Sequence, residues 1–197
     1  MQIAIGFKSH SGWAVAVVVG IEGGAFRLVD RRKVALIEPG DSPWAKAPYH
    51  AAEELAAKEG DALVERGRHS AASGSKRAVR ELVDAMRAAS HDVAACAVLT
   101  PSSPMPDWTT RQILAVHFRM HKAEGAMFPA ALERAVDAAG LRRVSIAEKS
   151  LRENAEGLLG RNVDRTIAEL GRGAGPPWAA DQKNAALAAV VALKAKR

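Results

Sequence analysis

A chain of 197 residues, 48% of them hydrophobic, carries enough apolar side chains for a sizeable core, and its single cysteine, Cys96, excludes an intramolecular disulfide. No apolar run reaches the ~18 residues that a membrane-spanning helix requires. The formal charge of +6 suits a nucleic acid or an anionic surface as partner, and equally a basic surface with no partner at all.

The expected elements follow in chain order. Residues 2–7 are a short apolar run, 8–12 (KSHSG) have turn chemistry, and 13–19 are rich in Val and Ala, which reads as strand, turn, strand. Gly23-Gly24 supplies a turn before a third strand over 25–37, closed by the Pro39–Pro43 segment. Residues 44–90 read as helical, with a break at 71–75 where Ser and Gly cluster. Val79, Leu82, Val83 and Met86 form an apolar stripe at helical spacing in its second part. Residues 93–99 (VAACAVL) are apolar throughout, as a strand covered on both faces must be, so Cys96 reads as a core thiol. A loop stiffened by three prolines follows, then a helix over 109–139 that Pro129 must kink or break. Gly140 ends it, 141–147 is a fifth strand, and 148–159 and 162–170 are short helices. After a Gly- and Pro-rich hinge at 171–177, a last helix runs to Lys194 from Trp178 or Asp181. The Lys194–Arg197 end is too short for a nucleic-acid tail. The N-terminus has no basic stretch leading into a long apolar run and cleavage site, so the expectation is a cytoplasmic chain without a membrane partner.

Three hairpin-linked strands and two strands reached through helices give a mixed five-stranded sheet with helices on both faces. The first strand should be central, with its hairpin partners on one side and the last two strands on the other. This order resembles the ribonuclease H-like superfamily, and more narrowly Holliday-junction resolvases. The resemblance implies an α/β fold and one domain over 1–197, with the helical segment 44–90 and the short helices 148–170 as elaborations. The middle helix and the Pro176-Pro177-Trp178 segment are also similar to bacterial proteins.

The resemblance holds in strand order and departs at the acids. Such resolvases carry an Asp on the first strand, a Glu ending the fourth, and an Asp pair opening the final helix. Here Phe7 or Lys8 stands in the first place, Val98-Leu99-Thr100 in the second, and Asp181 with Asn184 in the third. Two-metal phosphodiester cleavage needs several carboxylates around ions ~3.5–4 Å apart. One Asp cannot hold them, so either the activity is lost or the ligands have moved.

The middle helix offers the relocation. His117, His121 and Glu124 lie at i, i+4 and i+7 and share a face. A Glu bordering the apolar stripe needs a partner or a metal, and Gly125 beside it would let another backbone approach. The catalytic expectation is therefore Glu124, Asp181, His121 and His10, with Glu124 and Asp181 as ligands of Mg²⁺ or Mn²⁺; the alternative is a satisfied histidine, a Glu reaching the rim, and no cofactor. Asp181 alternatively caps a helix beginning at Gln182, or projects one turn into a helix beginning at Pro177. The Lys8–Gly12 turn reads as an ordinary hairpin loop or as a weak phosphate cradle. Lys8, Arg142, Arg143 and Lys183 are the expected nucleic-acid contacts, and Trp44, Trp108 and Trp178 read as packing anchors ahead of stacking platforms.

Three functions compete. The first is a nucleic-acid binder or divalent-metal-dependent nuclease acting on DNA or RNA. The second is a protein-interaction module that has lost the nuclease site, with Ala-rich helices as a homodimer face. The third is an actin-like nucleotide-binding domain, which normally needs two such domains where 197 residues hold one.

Overall fold

The computed structural model describes residues 1–195. Lys196 and Arg197, half of the basic C-terminal end considered above, lie outside them. The strands are β1 (Gln2–His10), β2 (Trp13–Glu22), β3 (Ala25–Ala35), β4 (Asp92–Thr100) and β5 (Arg143–Ala147). They form one sheet in the order β3-β2-β1-β4-β5. The β1–β2 and β2–β3 pairs are antiparallel, and the β1–β4 and β4–β5 pairs are parallel. This is the mixed α/β sheet of the ribonuclease H-like fold, with β1 in the centre as its apolar pattern requires.

Strand alternation divides β1 between two layers. Ile3, Ile5 and Phe7 point into one core, shared with α2 (Ala57–Ala88) and α4 (His117–Ala138). Ala4 points into the other, shared with α7 (Ala180–Lys194), where Ala185, Ala186, Ala188, Ala189 and Ala192 are fully buried. Small α7 side chains let that helix rest on the strand backbone itself. A Cβ at Gly6 would lie 1.9 Å from the Ala185 carbonyl oxygen. These five alanines of α7 are therefore core and not a free dimer face. The remaining helices are α1 (Pro48–Ala51), α3 (Thr110–Leu114), α5 (Leu151–Leu159) and α6 (Val163–Gly171). No described helix is long and apolar enough to cross a membrane.

Several expected boundaries move, each for a local reason. Strand β1 runs on through Lys8, Ser9 and His10, which pair with Val15, Ala14 and Trp13. The turn shrinks to Ser11-Gly12, with Gly12 at φ +83°. A phosphate-cradling loop over 8–12 is thereby replaced by ladder residues whose backbone is already bonded. Helix α2 passes unbroken through 71–75. Its small residues serve close approach instead, for a Cβ at Gly74 would sit 2.5 Å from the Ile37 backbone nitrogen. The 109–139 helix divides in two. Thr109 and Gln112 cap each other to start α3, and α4 begins afresh at His117. Pro129 lies inside α4 without ending it. Cys96 is buried, and burial pushes its thiol up to about 12, as befits a core residue.

Two glycines give opposite expectations. Gly6→Ala drives a methyl into the α7 backbone and should cost at least about 3 kcal/mol in urea denaturation. At Gly125 an added Cβ meets nothing within 4 Å, so no backbone approaches it as the sequence had suggested, and Gly125→Ala should stabilise by about 0.5–1 kcal/mol.

Candidate functional site

The even-numbered end of β1 carries the polar residues of the sheet end. Lys8 pairs with Glu148, just beyond β5, and its side chain is 16% exposed. His10 Nε2 lies 2.9 Å from Asp181 Oδ2, both side chains about one-third exposed. The His10 ring stacks on Trp13 with centroids 4.3 Å apart, and Lys33 Nζ sits 3.9 Å from the centre of the same indole. Asp181 is the second residue of α7, one turn before the Ala185 contact with Gly6. It is neither the cap of a helix starting at Gln182 nor one turn inside a helix starting at Pro177. The backbone N–H of Ala179 donates instead to Gln182 Oε1 at 3.1 Å. Glu148 had no signal in the sequence, because only the parallel β4–β5 register brings it beside β1.

Around Lys8, Ser9, Pro101, Ser102, Gly125, Pro129 and Glu148 line a cleft of about 280 Å³. Pro129 has no N–H to donate to the Gly125 carbonyl one turn earlier, which frees an acceptor in this wall. The expected acid on β4 is absent, since that strand ends in Thr100. Each carboxylate at this end of the sheet, Glu148 and Asp181, is already matched by a basic side chain. Mg²⁺ needs near-octahedral oxygen ligands, usually including one or two free carboxylates. An ammonium on β1 and two paired acids do not supply that set.

Glu124 is elsewhere. It belongs to α4, on the opposite face of the sheet from α7, and it is 8% exposed. Its Oε1 accepts the backbone N–H groups of Tyr49 and His50, each at 3.1 Å, and its Oε2 lies 2.7 Å from His50 Nδ1. The expected meeting of Glu124 with Asp181 around a shared ion does not occur. The carboxylate is consumed by α1, where three donors satisfy it. His121, one turn earlier, is exposed and faces His117 and His50, and His10 does not approach it. His50 is the residue sequence reasoning passed over, because a lone histidine in a four-residue helix carries no periodic signal.

The expected nucleic-acid contacts are mostly occupied. Arg142 Nη2 donates to the Ala192 carbonyl at 2.6 Å, and Arg143 pairs with Asp137 at 2.8 Å and Glu133 at 3.0 Å. Lys183 is exposed. Trp44 and Trp108 pack on the core edge and carry Arg66 and Arg119 over their faces, at 4.8 and 4.7 Å, so they are anchors and not open platforms.

No protein-family model matches this chain, and no curated protein matches it. Its fold is similar to that of Thermus thermophilus RuvC, solved in complex with Holliday junction substrate, with a TM-score of 0.50 at 12% identity over 97% of this chain and 92% of that one. A second Thermus thermophilus RuvC structure gives 0.50 at 13% identity, over 96% and 92%. Likeness at this level of identity establishes the ribonuclease H-like fold.

The two acids should differ in what they hold up. Glu124→Ala strands three donors and should cost about 2–4 kcal/mol by urea denaturation. Asp181→Asn breaks a part-exposed pair and should cost less than about 1 kcal/mol.

Proposed function

We propose that this chain binds nucleic acid on a ribonuclease H-like scaffold whose two-metal site has been replaced by ion pairs, so that it binds without cleaving. The observation that carries this reading is the sheet end, where Lys8 and His10 each hold a carboxylate. An ammonium in the place where the resolvase pattern has its first acid occupies a metal's position with a fixed charge, and it takes up the Glu148 carboxylate that could otherwise ligate an ion.

Charge distribution supports the partner. The exposed Lys76, Arg80 and Arg87 of α2 fall on one helix face and line a groove against α4, and none is in an ion pair among the described residues. Three unpaired cations along one groove, against the single acid Asp84 in its lining, leave a net positive strip that suits the regular charge of a phosphate backbone. RuvC, a structural neighbour, is solved with Holliday junction substrate, so a branched duplex is the first ligand to offer. On this reading the chain acts as one unit, with the additions at 44–90 contributing the basic groove.

Fluorescence anisotropy with a labelled four-way junction and a matched duplex in EDTA tests it. Binding should appear at low salt and weaken roughly 40-fold between 50 and 200 mM if about three phosphates are neutralised. Replacing Lys76, Arg80 and Arg87 together by Ala should remove most of that salt dependence. Neither Mg²⁺ nor Mn²⁺ should produce cleavage. No binding at low salt would hand the lead to the protein-interaction reading. Mg²⁺-dependent cleavage abolished by Asp181→Ala would restore the enzyme.

A further inference from the structure

Three imidazoles meet between α1 and α4, away from the sheet end. His50, His117 and His121 each present one ring nitrogen, and these atoms all lie within 4.8 Å of one another. His117 and His121 are one helical turn apart, and their Nε2 atoms are 3.1 Å apart. Two nitrogens bound to one tetrahedral ion at about 2.0–2.1 Å lie roughly 3.3 Å apart.

A hydrogen bond between His117 and His121 would account for that pair, but it leaves His50 unexplained. In the neutral imidazole, His50 Nδ1–H donates to Glu124 Oε2 at 2.7 Å, which leaves the lone pair on Nε2. That Nε2 is buried and, like Ser75 Oγ, His91 Nδ1 and Trp178 Nε1, has no hydrogen-bond partner among the described residues. An unmatched buried acceptor is costly, and native proteins rarely keep one without a use. The same carboxylate accepts the N–H groups of Tyr49 and His50, so the ring's mount is fixed from three directions. Glu53 Oε1 lies 3.7 Å from His117 Nδ1, too far for a hydrogen bond. The Glu124 carboxylate behind His50 is the arrangement that orients metal-bound histidines.

We propose that His50, His117 and His121 bind a single divalent transition-metal ion of the Zn²⁺ type, with Glu124 as the positioning residue for His50. Three imidazole nitrogens suit Zn²⁺, Co²⁺ or Ni²⁺ and not Mg²⁺, which takes oxygen ligands. His117 and His121 are exposed, so a fourth position on a bound ion would be open to water. Three protein ligands with an open fourth place make a site that can polarise bound water, unlike the closed four-ligand sites that only staple a fold. The site is independent of the nucleic-acid reading, and its test needs no nucleic acid.

Calorimetric titration of Zn²⁺ into the EDTA-stripped, dialysed full chain should show one ion per chain, with no heat from Mg²⁺. Co²⁺ in its place should give the visible absorption of a tetrahedral nitrogen-ligated ion, bleached by added Zn²⁺. The His117→Ala/His121→Ala double variant alters only exposed side chains. It should keep its circular dichroism and lose at least about 100-fold in affinity, while Glu124→Gln should lose roughly 10–100-fold. If Glu124→Gln fails to fold, the double variant decides alone. Absence of Zn²⁺ binding in the wild type, or unchanged affinity and stoichiometry in the double variant, overturns the site.

Discussion

The packing of α7 directly on the backbone of β1 governs where everything polar at the sheet end must go. With no side chain at Gly6 and with Ala185 and Ala189 facing it from α7, the Ala185 carbonyl sits where a Cβ would otherwise be. Dispersion contacts along so close an interface are individually tiny and numerous, and they leave no room to shift register. Fixing Ala185 against Gly6 fixes Asp181, one turn earlier, near the outgoing end of β1. His10, four residues beyond Gly6 on the same strand face, is the group that meets it.

That geometry separates the two acids that a shared ion would need. Strand alternation sends Phe7 to the α2–α4 layer, while His10 reaches the α7 layer. Asp181 belongs to the second layer and Glu124 to the first, so the sheet itself lies between them. Each acid takes a local partner. For Glu124 the partners are two backbone N–H groups and an imidazole in a nearly dry setting, where an unmatched charge is expensive. For Asp181 the partner is an imidazole at the rim, where water screens the pair and its contribution to stability is small. The rim pairs thus matter for chemistry more than for folding. They tie up the carboxylates at the sheet end that would otherwise be free.

The fold was legible where one residue pattern had one physical meaning. VAACAVL has no polar face and had to be an inner strand, and the hairpin order then fixed β1 as the centre. Legibility failed where small residues had two meanings. Ser and Gly at 71–75 looked like a helix break but are the contact surface of an unbroken α2, a distinction that depends on what lies opposite. The polar KSHSG run looked like a loop because ladder pairing with β2 is invisible in composition. At the site, the i, i+4, i+7 spacing placed His117, His121 and Glu124 in one region, as found. Their partners His50 and Glu53, like Glu148 beside Lys8, come from distant segments with no local signal.

The central claim is that the sheet end is closed to divalent ions by its own ion pairs. Paramagnetic broadening by Mn²⁺ tests it residue by residue, because unpaired electrons erase the NMR signals of nuclei near a bound ion. In the assigned amide spectrum, residues 8–10, 100–102, 148 and 181–183 should keep their intensity at Mn²⁺ concentrations that broaden nothing else in the sheet. Selective loss of the Lys8, His10, Glu148 and Asp181 signals would place an ion among these four side chains and contradict the account.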